Sequence, residues 1–273
     1  MTISRTERAA NYVVLTLFAL FALAPIVAIL VTALGPENIA AAKEGGGPIH
    51  WGNFAAAWEQ GRFGQYMKVS VLVSSITVSV ALLCSVMAAY ALGTMPFRGR
   101  EVVFYVFLLG IMVPSEAIIV PLYFDMRTLG LTNTLWGIIL PQIAQSIAFG
   151  TYWMRAYFRS SSPSLIEAAR IDGAGSHRIL WQVLVPVGRP AITTLVVLTF
   201  MWTWNEFLIP LVMSPRGTMR TAPLGLAFFQ GQYVQGTVLL AAAAVLVALP
   251  VVVVYLFLQR HFIKGMIEGA VKE

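Results

Sequence analysis

The side chains best placed to do chemistry in this 273-residue chain are the few polar ones set inside long apolar runs. Glu206 is the clearest. It follows Thr199 and Thr203 at helical spacing, which predicts one polar stripe on a single helix face, with Asn205 beside it. In an earlier run Gln142, Gln145 and Ser146 share a face. An ionisable group inside such a run is costly and is a functional candidate by default. Amides and hydroxyls on facing helices can hydrogen-bond a hydroxyl-rich solute and leave room for water. The alternative is that they bond to neighbouring helices and act as packing glue. Glu116, two residues after Pro114, could simply satisfy a kinked backbone or snorkel outward. Cys84 is the one cysteine and lies within an apolar run, which excludes an intrachain disulfide framework and a thiolate zinc site and reads as a packing residue. His50, His177 and His261 each stand alone at loop or terminal positions and read as surface histidines.

A second constellation is charged and lies between two apolar runs: Glu167-Ala168-Ala169-Arg170-Ile171-Asp172-Gly173, continuing to Val183-Leu184-Val185-Pro186. Ser162-Pro163-Ser164 reads as a helix start. Pro163 suits the first helical position, and Ser164 with Glu167 fits a capping box. Gly173 then closes a short helix, and a second begins near Ser176 and runs to Pro186. Two short helices meeting at a glycine predict a compact knob. The plainer alternative is that Glu167 only caps a loop helix.

The elements that must position these groups are membrane spans. Apolar residues make up 58% of the chain and charged residues 11%, with a mean hydropathy of +0.78; a soluble domain carries about 25% charge. Six apolar segments, near Tyr12–Leu34, Val69–Met95, Val102–Phe124, Thr134–Phe158, Ala191–Met213 and Thr237–Gln259, are each long enough to cross a hydrocarbon core of about 30 Å. Helices are the spanning form, because backbone groups in lipid need internal partners. The predicted fold is therefore an all-α integral membrane protein of six transmembrane helices. Pro25, Pro114, Pro141 and Pro250 are expected as kinks. The first segment follows Arg5 and Arg8 but is longer than a signal-peptide core, so it reads as a retained span.

Charge placement sets the orientation. Twelve of the eighteen Lys and Arg residues fall on the N-terminal side of the membrane: Arg5, Arg8, Arg98, Arg100, Arg155, Arg159, Arg170, Arg178, Arg189, Arg260, Lys264 and Lys272. Both termini and the Glu167 loop are thus expected inside. The net charge of +6 is scattered singly rather than clustered on one face, which argues against nucleic acid as a partner. One membrane domain is expected over residues 1–273. It comprises an N-terminal span (1–34), an outer segment (35–68), a five-helix unit (69–262) holding the loop 159–190, and an inner tail (263–273). In the outer segment, Gly45-Gly46-Gly47-Pro48 reads as a flexible break, and Trp51, Phe54 and Trp58 predict a short amphipathic surface helix.

The spacing from Glu167-Ala168-Ala169 through Gly173 to Pro186 resembles the EAA loop of the membrane subunits of binding-protein-dependent ABC importers. Val183 and Val185 stand where that pattern has Ile and Leu. The likeness extends from about Trp51 to Glu273 and is nearest to sugar permeases of the maltose type. It runs through Ala88-Ala89-Tyr90-Ala91, Phe97-Arg98-Gly99-Arg100, Met112-Val113-Pro114, Pro121-Leu122-Tyr123, Leu129-Gly130-Leu131, Ile139-Leu140-Pro141, Trp204-Asn205-Glu206-Phe207, Leu224-Gly225-Leu226 and Gly269-Ala270-Val271-Lys272.

The resemblance implies a type I importer permease fold in the bacterial cytoplasmic membrane, with carbohydrate as cargo. Polyols and glycerophosphodiesters are alternatives that related permeases carry. It implies three partners besides membrane lipid: a second homologous permease, an ATPase dimer that binds ATP and Mg, and an extracytoplasmic solute-binding protein. No cofactor is implied in this chain, which has no Walker-type phosphate loop. Glu167, Ala168, Ala169, Asp172, Gly173 and Pro186 would couple to the ATPase. Gln142, Gln145, Ser146, Thr203, Asn205 and Glu206 would line the substrate path. Phe229, Gln230, Gly231, Gln232 and Tyr233, in the outer loop 214–235, would meet the binding protein; the alternative there is an interfacial aromatic belt. Two rival classes fit less well. An integral membrane enzyme needs acid, base or metal groups gathered at one membrane face, and a secondary transporter needs inverted repeats; the sequence displays neither.

Overall fold

The computed structural model describes residues 5–36, 49–161, 163–227, 229 and 236–270, and every regular element among them is helical. In chain order these are α1 (Arg5–Leu34), α2 (Gly52–Gln60), α3 (Phe63–Thr94), α4 (Arg100–Met112), α5 (Ser115–Thr128) and α6 (Leu135–Ser160). There follow α7 (Pro163–Ile171), α8 (Ser176–Val187), α9 (Arg189–Asn205), α10 (Leu208–Met213), α11 (Ala222–Gly225) and α12 (Thr237–Ala270). Helices α1, α3 and α12 are long and apolar enough to cross a membrane unbroken. The pairs α4/α5 and α8/α9 qualify only as bent spans. Helix α6 has 26 residues, about 39 Å at 1.5 Å per residue, which exceeds the hydrocarbon thickness. Its glutamines make it the least apolar of the six runs.

Two of the expected continuous spans are broken, one of them at Pro114, where only a kink was expected. The run 102–124 turns through 97° between α4 and α5. Val113 and Pro114 are both extended there, because a proline disfavours helical geometry in the residue before it. The run 191–213 stops at Asn205 and restarts at Leu208. Pro25, Pro121, Pro141 and Pro250 sit inside continuous helices instead.

The chain forms two compact units, residues 1–64 with 225–249 and residues 65–224 with 250–273. In the first, the apolar window of α1 has none of its residues buried, the signature of a helix clothed by lipid or by another chain. Its end is tied to α2: the Asn53 amide donates to the carbonyls of Ala33 (2.8 Å) and Gly35 (2.9 Å). A short helix, α2, stands where a surface helix was expected and carries Phe54 and Trp58.

The second unit is built on α3 and α6, which meet in two apolar clusters. One joins Val69 and Val73 of α3, Ile138 and Ile139 of α6, Ile119 of α5, and Ile209 and Met213 of α10. The other joins Val86, Ala89 and Tyr90 of α3, Met154 and Phe158 of α6, Ile179, Leu180 and Leu184 of α8, and Ala191 and Leu195 of α9. Later residues of α3 thus pair with later residues of α6, so the two helices run in the same direction. The start of α6 is fixed by Thr134, whose hydroxyl accepts from Gly137 N (3.3 Å). Asn133 also ties it to the chain after α10: Asn133 N donates to Met213 O (2.8 Å), and Arg216 N donates to Asn133 Oδ1 (2.9 Å). Cys84 is exposed on α3 rather than packed.

Candidate functional site: a polar cleft and a charged knob

Between the two clusters of the second unit lies an open cleft of about 200 Å³. It is lined by Gly110 and Ile111 of α4, Val113, Ser115 of α5, Gln142, Gln145, Ser146 and Phe149 of α6, Trp202 and Thr203 of α9, and Glu206. Five of the six residues expected on the path converge here from two distant stretches of sequence. Asn205 does not: it is exposed, and its amide donates to Met201 O (2.8 Å).

The stripe that located Glu206 is not the geometry that delivers it. Thr199 is buried and absent from the lining. The Thr203 hydroxyl donates back to Thr199 O, as hydroxyls within apolar helices do. Glu206 lies just beyond the end of α9 with extended backbone, and its Oε1 accepts from Ile209 N (3.0 Å), capping α10. The break in the fifth run thus swings a carboxylate into the cleft. The 97° bend before α5 does the same for Ser115, whose hydroxyl accepts from Gln145 Nε2 (2.9 Å). Gln142 is 3% exposed, and neither its amide nitrogen nor its oxygen has a hydrogen-bond partner. A buried amide without partners costs about 1–3 kcal/mol per group. Phe149 and Trp202 form an edge-to-face aromatic wall, centroids 4.6 Å apart.

The charged loop folds as two helices about Gly173. Gly173 has φ +76°, the left-handed conformation that glycine adopts without cost. Gly173 N donates to Arg170 O (3.0 Å) and Ala174 N to Ala169 O (2.9 Å), a Schellman closure of α7. The capping box is corrected: α7 starts at Pro163, so Ser164 lies inside its first turn and Glu167 is the first residue after that turn. Leu165, Ile166, Ala169 and Ala174 pack onto the cluster of α3, α6, α8 and α9. Glu167, Ala168, Arg170, Ile171, Asp172 and Gly173 face outward, and Ile171 is 86% exposed. Helix α8 runs on past Pro186 to Val187 and contains a π turn over Ile179–Leu184. A proline ring clashes with the carbonyl four residues before it, and the wider turn just ahead of Pro186 accompanies that demand.

Arg155, one of the twelve cations counted on the inner side, is buried and paired. It lies on α6 and is 5% exposed. Its Nη2 donates to both Glu101 carboxylate oxygens (2.7 and 2.8 Å) and its Nε to Leu92 O (3.1 Å), with Phe104 beneath the guanidinium at 3.7 Å. The pair joins α4 to α6 and to the end of α3. The sequence signal is an arginine inside an apolar run, but its partner lies 54 residues away. Of the outer-loop residues, Phe229 is buried and stacks on Phe63 (6.3 Å, 6°). Gln230, Gly231, Gln232 and Tyr233 fall outside the described residues. Among the described residues, no three His, Cys, Asp or Glu side chains group so as to hold a metal.

Comparison with known proteins agrees with this architecture. Residues 81–268 match the model of the binding-protein-dependent transport system inner membrane component family. The diacetylchitobiose uptake system permease NgcG of Streptomyces coelicolor is 30% identical over 269 residues, covering 97% of this chain and 89% of that protein. The trehalose transport permease SugB of Mycobacterium tuberculosis is 31% identical over 272 residues, covering 97% and 98%. A crystal structure of a bacterial ABC transporter involved in import of the acidic polysaccharide alginate contains a chain 28% identical to this one. That chain superimposes with a TM-score of 0.78, covering 96% of this chain and 99% of its own. The paired helices, the polar cleft and the short charged helix thus belong to a multi-pass transport permease, and the chain is a member of the binding-protein-dependent transport system inner membrane component family.

Proposed function

We propose that this chain is one of two homologous membrane subunits of an ATP-driven carbohydrate importer in a bacterial cytoplasmic membrane, with both termini inside. In this reading an ATPase dimer binds ATP and Mg on the inner side, and a solute-binding protein delivers cargo outside through the loop 214–235. The cleft is this subunit's half of the translocation path. At about 200 Å³ it is smaller than the 300–1,000 Å³ typical of a complete small-molecule site, as expected if a second permease closes it. Its amides, hydroxyls and aromatic wall suit a hydroxyl-rich ring. Carbohydrate as cargo is also supported by the oligosaccharide and trehalose permeases to which the chain is similar.

The observation that carries the reading is the continuity between knob and cleft. The apolar underside of α7 packs on a cluster that includes Met154 and Phe158 of α6 and Ala191 and Leu195 of α9. The same two helices carry Ser146 and Thr203 into the cleft. Met154 lies eight residues, about 12 Å, from Ser146 along α6. The exposed face of α7, with Glu167, Ala168 and Asp172, docks in the ATPase. A displacement of α7 on ATPase closure then moves α6 and α9 together, because close-packed interiors shift as units. The 80° turn at Gly188, between α8 and α9, passes that motion from the surface into the span. Reconstitution tests this. The complete set of subunits in liposomes is expected to accumulate a neutral oligosaccharide with ATP and binding protein, and this chain alone is expected not to. Uptake by the chain alone at a comparable rate would overturn the assignment.

A further inference from the structure

The cleft contains one charged side chain among its lining residues, and it is negative. Glu206 contributes a carboxylate, whereas Ser115, Gln142, Gln145, Ser146 and Thr203 contribute only neutral hydroxyls and amides. Among the described residues no lysine, arginine or histidine lines it. We infer that Glu206 is a charge-selecting residue of the path, which disfavours anionic sugars such as uronates or phosphorylated sugars and admits neutral or amino sugars. The inference rests on the cleft being the path. It adds the class of cargo, which membership of the family does not determine.

The position of Glu206 supports this in two ways. Its Oε1 is already engaged by Ile209 N, which fixes the carboxylate at the cleft wall rather than leaving it free to swing away. Gln142 stands in the same lining, nine-tenths buried, with both amide atoms unused. A buried amide with no protein partner is satisfied by water or by cargo. Beside the apolar wall of Phe149 and Trp202 the effective dielectric is lower than in bulk solvent, so a fixed negative charge there repels an anion and attracts a cation more strongly. Neutral hydroxyls can still donate to the carboxylate and exchange hydrogen bonds with Gln142.

The test applies whatever the natural cargo is. In the complete complex carrying Cys84→Ser and Ser146→Cys, the thiol at position 146 is modified by methanethiosulfonates of similar size bearing either trimethylammonium or sulfonate. Rates are measured in nucleotide-free and ATP-trapped states. Adding Glu206→Gln, whose amide oxygen can keep the bond from Ile209 N, is expected to lower the cation-to-anion rate ratio about tenfold, the order expected for one unit charge in a partly desolvated cleft. A ratio unchanged by Glu206→Gln overturns charge selection while leaving the path in place. A thiol reached by neither reagent in either state overturns the path reading, and the selection with it. Uptake supplies the second readout. Between Glu206 and Glu206→Gln complexes, transport of an oligosaccharide uronate relative to its neutral parent should rise about tenfold, and the binding protein's own preference cancels in that comparison. A shifted thiol ratio with no shift in uptake would overturn the selection of cargo, because the field would then exist without sorting what passes.

Discussion

The knob and the cleft are both polar segments set among apolar helices, but they dispose of their hydrogen bonds in opposite ways. At the end of α7 the carbonyls of Ala168, Ala169 and Arg170 all receive backbone donors, from Asp172, Ala174 and Gly173 respectively. In the cleft, Gln142 leaves both amide atoms without a partner, and Glu206 and Ser115 arrive there through breaks in helices. The knob is finished and rigid, with its open surface formed by side chains that face outward. The cleft is unfinished at Gln142, whose amide awaits something else beside a ring of groups already bonded to one another or to backbone. A transmitter should move as one body. A path must hold its cargo weakly enough to release it. The two regions therefore differ in what a substitution should break, the shape and outward surface of a transmitter in one case and the hold on cargo in the other.

The largest effect is expected at the pivot of the knob. Gly173→Val forces a β-branched residue into φ +76°, a conformation costing such residues roughly 1–2 kcal/mol or more, and undoes the closure of α7. Uptake by the full complex should fall by at least about 100-fold while membrane insertion persists. ATP hydrolysis should become independent of the binding protein, or the ATPase should dissociate. Wild-type uptake from a normally inserted variant would remove α7 as the transmitter.

Next in size is the buried pair beside the knob. Arg155→Met removes the cation from Glu101, Leu92 O and the face of Phe104 together, and breaking a buried pair from one side typically costs about 3–5 kcal/mol. Glu101 is half exposed, with Arg100 (3.5 Å) and Arg159 (3.9 Å) also near, so the lower end is expected. Thermal unfolding in detergent measures it. Glu101→Gln should cost less, because Arg155 keeps its carbonyl and its ring. Equal losses would mean that the ion pair, not the burial of Arg155, dominates.

These positions also mark what sequence could and could not reveal. The start of α7 at Pro163 and its stop at Gly173 were legible because proline and glycine act on the backbone directly. The long spans α1, α3 and α12 were legible because unbroken apolar runs leave few other solutions. Pro114 was not distinguishable from Pro25, Pro141 or Pro250, although only the first breaks its helix. Whether a proline kinks or ends a span depends on neighbours that can receive the freed carbonyls. The break at Glu206 has its signal four residues on, in Pro210, which was not among the expected kinks. Its ring would clash with the Glu206 carbonyl in a continuous helix, and it sits instead in the first turn of α10. The pairing of Arg155 with Glu101 spans 54 positions, which no local pattern encodes. For the five cleft residues the polar types were informative, but the helical face expected to carry Glu206 does not exist.

A smaller effect is expected where α3 and α6 approach closely at Gly150. A Cβ on Gly150 would lie 2.8 Å from the Ser85 Cβ and 2.4 Å from its Oγ. Gly150→Ala should destabilise by about 1–3 kcal/mol through overpacking, and Ser85→Gly should restore most of that loss. Failure of the rescue would show that the two helices part rather than clash. Gln142→Leu turns the comparison the other way. Removing two unpartnered polar atoms from a buried site should stabilise the protein by about 1–2 kcal/mol while slowing uptake several-fold. A variant that gained stability with full transport would show that Gln142 serves no cargo.

The smallest structural effect, and the sharpest separation of docking from folding, belongs to Glu167→Ala. Glu167 lies in the fifth position of α7, past the reach of an N-cap, is exposed, and forms no salt bridge with a described residue. Alanine is at least as good a helix former, so the unfolding free energy should change by no more than about 0.5 kcal/mol, the usual range for a surface site. Any loss of uptake must then come from the surface that α7 presents to its partner. The expected pattern is a several-fold drop in uptake, a matching loss of affinity for the isolated ATPase, and an unchanged melting temperature. Glu167→Gln should recover part of the uptake if shape dominates the contact, and none if the carboxylate pairs with a cation across the interface. A fall in melting temperature parallel to the fall in uptake would return Glu167 to a structural role and leave Asp172 as the remaining acidic group on that outward face.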